Sequence, residues 1–350
     1  MPKVPQAEWI SEALGTTVVD LQAEPLGDEL GLQSTTWRLQ LSYADPGSGP
    51  ASLILKSETS DPDFQAMSRV NNAFGREVGV YQHCAPRLQG HRPVVHACED
   101  SESAWLLMED LSHLTPGDQV VGLTRQQTHD CIERMAAIHA EFWLDPQLEP
   151  HDWLPPHTFW FSKPKPEEAV EDFLRTYEVR FGADLSRLFR AVLEQSEAID
   201  AALQQRPWTL VHGDLRADNL LFDGTPEAPT AVILDWSWAC RSLGLIDVAF
   251  LLGGSTPVVQ RQGTLEDLLQ TWHQQLLARG VRDYPLSEAR RDLQLAALRC
   301  MTAGLCMHGF MAFPDTTIRT ALFMTQAIQH HAGLAMELEA WQALPDGRGF

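Results

Sequence analysis

The chain has 350 residues, 44% of them apolar and 21% charged, which is enough for one large or two moderate cores and too apolar for a disordered linker. Its formal charge of -21 argues against a nucleic-acid partner, which calls for a basic patch, while acidity alone selects no substrate because it also serves solubility. Cys84, Cys98, Cys131, Cys240, Cys300 and Cys306 form no C-x-x-C pair, so neither a zinc knuckle nor a disulfide framework is indicated and a reducing compartment is expected.

In chain order, Ala7 to Leu14 reads as a short helix, and Val18-Val19 and Thr35 to Tyr43 alternate as strands do. The turn-rich loop Ala44 to Pro50 leads to a strand over Ala51 to Lys56, so the opening is a small antiparallel sheet with a hairpin. Phe64 to Cys84 is expected as one helix, Val94 to Ala97 and Ala104 to Met108 as strands, and most of the chain from Thr124 as helices. Three short apolar runs interrupt that helical half: Leu210-Val211, Leu220 to Phe222 and Ala231 to Leu234. Met1 to Glu8 lacks the basic start and apolar core of a signal peptide, and Leu295 to Phe313 is broken by Arg299 and His308; a cytoplasmic chain without a membrane partner is expected. The fold class is α+β.

The turns between the three runs hold the chemistry. His212-Gly213-Asp214-Leu215-Arg216-Ala217-Asp218-Asn219 is H-x-D-x(4)-N, and Asp235 closes the third run. Phosphoryl transfer needs a carboxylate to orient and deprotonate the attacking hydroxyl and oxygen ligands to hold magnesium on a triphosphate. Asp214 is suited to the first task. Asn219 and Asp235, hard oxygen donors, are suited to the second. The bland alternative is that Asp214 and Asn219 only form turns.

These motifs resemble the aminoglycoside phosphotransferase and choline kinase superfamily, and within it the ecdysteroid-kinase-like branch. The resemblance spans most of the chain through Leu53-Ile54-Leu55-Lys56, Glu77, Glu109-Asp110-Leu111, His139-Ala140-Glu141-Phe142-Trp143, His212-Gly213-Asp214 and Asp235-Trp236. It implies a protein-kinase-like, two-lobed fold: a nucleotide-binding lobe over residues 1–108, a hinge about 108–112, and a mainly helical lobe over 109–350, with MgATP in the cleft. It implies that Lys56, paired with Glu77, reaches the α and β phosphates, and that backbone groups near Met108, Glu109 and Leu111 hold adenine. Amides around Gly31 and Ser34 would cover the phosphates, although Gly27 and Gly31 do not form the glycine-rich loop of protein kinases.

Arg216 stands where kinases place a cation near the γ phosphate, and its planar fork suits phosphate oxygens. His212 and Asp247 are expected to brace the catalytic loop, and the His139 to Trp143 segment to be a packing motif. The implied cofactors are ATP and Mg2+, and the implied acceptor is a small-molecule hydroxyl, whether aminoglycoside, choline, sterol or another alcohol. Trp153, Phe159, Trp160 and Trp238 are candidates to stack on a ring or quaternary amine. The rival reading, a nucleotide-binding pseudokinase acting as scaffold or sensor, gives no chemical reason for Lys56, Glu77, Asp214, Asn219 and Asp235 to occur together.

Overall fold

The alternating apolar residues near the start of the chain build an antiparallel sheet. The computed structural model describes residues 5–26, 34–59, 62–99, 104–156, 167–310 and 317–345. They fall into two compact units, one of residues 1–86, 91–115 and 234–238, the other of residues 87–90, 116–233 and 239–350.

In the first unit, β1 (Val18–Leu26), β2 (Ser34–Tyr43), β3 (Ser52–Glu58), β4 (Val95–Glu99) and β5 (Trp105–Glu109) form a five-stranded sheet in the order β1-β2-β3-β5-β4. Strand period two sends Leu39, Leu41, Leu53, Leu55 and Leu107 to one face. There they pack with Ile10 of α1 (Ala7–Leu14) and with Val18 and Trp105; each buried leucine contributes about 1.5–3 kcal/mol. Trp9 stands edge-on to Trp105 at 4.7 Å.

The single helix expected over Phe64 to Cys84 is broken. α2 (Pro62–Asn71) stops at Asn72, which takes a left-handed conformation (φ 50°), and α3 (Ala73–Gly79) starts anew before a π-helical turn, Val80–Cys84. Asparagine tolerates that conformation, and a Cβ on Gly75 would lie 2.3 Å from its Oδ1, so the break is packed tightly. The short β6 (Thr115–Pro116) carries the chain into the second unit.

That unit is mainly helical: α4 (Arg125–Glu141), α5 (Glu167–Glu194, kinked at Gly182), α6 (Ser196–Gln204), α7 (Leu245–Gly254), α8 (Val258–Arg261), α9 (Leu265–Ala278), α10 (Leu286–Phe310) and α11 (Ile318–Glu337). Thr124 caps α4 through a capping box with Gln127. The three apolar runs are β7 (Thr209–Val211), β8 (Leu220–Thr225) and β9 (Ala228–Ile233). β8 and β9 form a hairpin, whereas β7 pairs with β10 (Cys240–Ser242), a strand too short to announce itself by periodicity. Asp130 of α4 ties the hairpin to the helices by accepting from Ala231 N–H at 2.6 Å. Among the described residues no helix is long and apolar enough to cross a membrane.

Candidate active site

In the first unit, β3 is an interior strand, so Lys56 stands opposite Thr36 on one side and Leu106 on the other. The alternation that buries Leu53 and Leu55 puts Lys56 on the other face, where its Nζ lies 2.7 Å from Glu77 Oε2 and 3.1 Å from Asp235 Oδ1. Glu77 belongs to α3, every residue of which is buried. Burial is the larger influence on its carboxyl and pushes it up to about 7, against the pull of Lys56 and with the Asp235 charge adding to the rise. Burial alone would lower the Lys56 ammonium, but attraction to Asp235 and Glu77 outweighs it and raises the pKa above the ordinary lysine range. One cation thus serves two carboxylates, and the more buried acid bears the cost.

Asp235 has φ 61°, a left-handed backbone uncommon for a non-glycine residue. Trp236 beside it is almost wholly buried, while the Asp235 side chain stays 36% exposed. The turn therefore seats the indole in the core and leaves the carboxylate open to solvent next to Lys56.

The expected adenine segment closes β5. Met108 is buried opposite Ile54, the Glu109 N–H donates to Val94 O at 2.8 Å, and the Leu111 carbonyl accepts from Leu114 N–H at 2.9 Å. Asp110 has a role that sequence reasoning missed. It accepts from Ser52 Oγ, Ser112 N–H and Arg38 Nε, and although burial would raise its carboxyl, these donors hold it lowered. Ser34 opens β2 opposite Glu58. Gly31 lies outside the described residues, as do Phe159 and Trp160.

In the second unit, the chain leaves β7 through Gly213 (φ 83°), passes Asp214 and Arg216, and closes a 3-10 turn over Ala217–Asn219 before β8. Asn219 Nδ2 donates to Asp214 O at 2.9 Å and to Asp214 Oδ2 at 3.0 Å. Since both partners are acceptors, the amide orientation is settled and the Asn219 oxygen points away from Asp214. Arg216 Nε donates to Asp214 Oδ2 at 3.1 Å and Nη1 to Asp218 Oδ2 at 2.9 Å, with its guanidinium 5.8 Å from the Phe323 ring of α11.

Asp247, in the first turn of α7 and fully buried, accepts from His212 N–H at 2.7 Å and Gly213 N–H at 2.9 Å. The His212 ring, also fully buried, accepts the Asp214 N–H at Nδ1, 3.2 Å away. His139, expected only to pack, also enters this network. Its Nδ1 accepts from Trp272 Nε1 at 3.0 Å, and indole N–H can only donate. The imidazole proton therefore sits on Nε2, which donates to Asp247 Oδ2 at 3.2 Å. Phe142 of the same segment is fully buried, as a packing motif requires.

Among the described residues no group of three or more His, Cys, Asp or Glu could hold a metal by itself. Magnesium on a nucleotide needs only one or two protein oxygens, and each unit by itself offers one hard oxygen donor of that kind: the first the part-exposed Asp235 carboxylate, the second the Asn219 amide oxygen.

The ecdysteroid kinase-like family model matches residues 31–281, more than half of the chain. Among solved structures, choline kinase from Cryptosporidium parvum aligns with a TM-score of 0.55 and 11% identity, covering 93% of this chain and 92% of that one. A macrolide 2'-phosphotransferase from Brachybacterium faecium aligns at 0.52 and 18% identity, covering 91% and 96%. A GDP complex of an aminoglycoside 2'-phosphotransferase aligns at 0.51 and 12% identity, covering 96% and 98%. These likenesses establish an α+β, protein-kinase-like fold, and the neighbours are small-molecule kinases. A comparison with curated protein sequences found no match.

Proposed function

The chain belongs to the ecdysteroid kinase-like family, and from that membership and the site geometry we propose that it transfers the γ-phosphoryl group of ATP to a hydroxyl of a small molecule with the help of magnesium. The observation that carries this reading is Lys56, a cation on an interior strand held 2.7 Å from Glu77 and 3.1 Å from Asp235. Such a triad prepays the desolvation of a phosphate-binding ammonium.

In the proposed reaction Lys56 fixes the α and β phosphates, and the backbone about Glu109 and Leu111 receives the adenine. Magnesium, when bound, neutralises charge on the phosphate oxygens, and Asp235 and Asn219 are the residues that would hold it. Asp214, kept in place by the Asn219 amide, orients the acceptor hydroxyl and takes its proton. The acceptor oxygen bonds to the γ phosphorus while the bond from that phosphorus to the β–γ bridging oxygen breaks, giving a phosphate ester and ADP. Arg216 leaves its bridge to Asp214 and Asp218 to meet charge on the transferring group.

The test is a thermal-shift titration with MgATP and MgGTP, followed by a phosphate-transfer screen over an alcohol library with Asp214→Asn as the blank. Stabilisation by MgATP and an acceptor whose turnover falls about 10³-fold or more in Asp214→Asn supports the assignment. Equal turnover in the variant refutes Asp214 as the base. Nucleotide binding without transfer to any acceptor shifts weight to a pseudokinase.

A further inference from the structure

The segment Gly117 to Gln119, in the second unit, belongs to none of the motifs that signal phosphotransfer, yet it runs against the loop that carries Asp214. Gly117 N–H donates to Leu220 O at 2.9 Å, and a Cβ on Gly117 would stand 2.2 Å from Ala217 O, so the backbones meet where only glycine fits. The next two residues extend the contact, because the Gln119 N–H donates to Asp218 Oδ1 at 2.9 Å.

The Gln119 side chain is 6% exposed and is used at both ends. Its Oε1 accepts from Ala217 N–H and from Ser255 Oγ, each at 2.9 Å, and its Nε2 donates to Gly254 O at 2.6 Å. Ala217 N–H is shared with Ser255 Oγ, also at 2.9 Å. Ala217 opens the turn that Asn219 completes by donating its own N–H to Arg216 O at 2.9 Å. An amide suits this place because it combines an acceptor for the turn with a donor for the end of α7; a carboxylate would set two acceptors against each other at Gly254, and an apolar chain would satisfy neither group.

We propose that Gln119, seconded by Ser255, is a positioning residue for phosphotransfer: it fixes the turn Ala217–Asn219 and so holds the Asn219 amide against Asp214. This rests on the roles given to Asp214 and Asn219 above.

Two variants and two readouts test it. Hydrogen exchange on the free protein needs no substrate: in Gln119→Leu the backbone over residues 212–222 should exchange about tenfold faster while α9 is unchanged, as expected when a local clamp is lost. In turnover, Gln119→Leu should lower kcat about 100-fold with the nucleotide KM within about threefold, since misplacement acts on the transition state.

Gln119→Glu supplies a readout that a filler role would not move. Protonated, the acid can accept from Ala217 and donate to Gly254; ionised, it cannot. Its kcat relative to wild type should therefore rise as pH falls from 8 to 5.5. Unchanged exchange in Gln119→Leu, or a flat pH ratio in Gln119→Glu with normal kcat, overturns the proposal. If no alcohol is phosphorylated by the wild type but exchange accelerates as stated, the chemistry fails and the clamp on the loop stands.

Discussion

Glu77→Gln should make the protein more stable above neutral pH while crippling its proposed chemistry. Burial pushes the Glu77 carboxyl from its ordinary 4.5 up to about 7, so between those values the folded chain holds a proton that the unfolded chain has released. Where the folded state binds more protons, stability falls as pH rises, and the Glu77 contribution is present in full below pH 4.5 and lost through pH 7. One proton over that 2.5-unit window is worth at most about 3 kcal/mol at 1.36 kcal/mol per unit. Glutamine keeps the shape of the protonated acid and cannot ionise. Urea denaturation at pH 5 and pH 8 should show the variant gaining on wild type between the two by about 1–3 kcal/mol. Its phosphate transfer should drop by about 10²-fold, because Lys56 then has a neutral amide oxygen in place of the Glu77 carboxylate and Asp235 as its remaining charged partner. A variant that is less stable than wild type at pH 8, with the same pH slope, would refute the claim that burial outweighs the ion pair at Glu77.

Two further outcomes follow from buried groups. Asp247→Asn keeps one acceptor oxygen where His212 N–H, Gly213 N–H and His139 Nε2 now share two, so it should cost about 2–4 kcal/mol and lower kcat, read by denaturation and turnover. Among the described residues the His331 ring finds no hydrogen-bond partner, and burial, then Arg261 and His330, lower its pKa to about 3. The unfolded chain therefore gains a proton first as pH falls below 6.5, and stability is lost from there downward. His331→Leu should remove that loss while keeping neutral-pH stability within about 1.5 kcal/mol, measured by melts from pH 7 to 4.5.

The elements with strong periods were legible in the sequence: α1, strands β2 to β5 and the mainly helical character of the chain from Thr124 follow from spacing, whereas β1 was legible only at Val18-Val19 and runs on to Leu26. The break at Asn72 was not, because a left-handed asparagine inside an amphipathic stretch carries no pattern that distinguishes it from a helical one. Nor was β10, whose three residues are fixed by pairing with β7. Among the residues proposed for the chemistry, Asp214, Asn219 and Asp235 could be singled out by residue type and spacing. Gln119 and Ser255 could not, since their partners lie 98 and 38 residues away in sequence and a buried amide looks like any other glutamine. His139 packs as expected, but its hydrogen bonds were not legible, because only the indole of Trp272 shows which imidazole nitrogen is the donor.

The five residues Leu234–Trp238 have a consequence for biosynthesis. They belong to the first unit although most strands of the second precede them in the chain. A nascent chain emerging from the ribosome can form the sheet of β1 to β5 early, but the ammonium of Lys56 must wait for Asp235, and the place of Trp236 must stay unfilled until translation has passed it. The first unit can therefore be completed only once residues 234–238 have been made, and a ribosome stalled before residue 234 would hold a sheet without the Asp235 carboxylate beside Lys56.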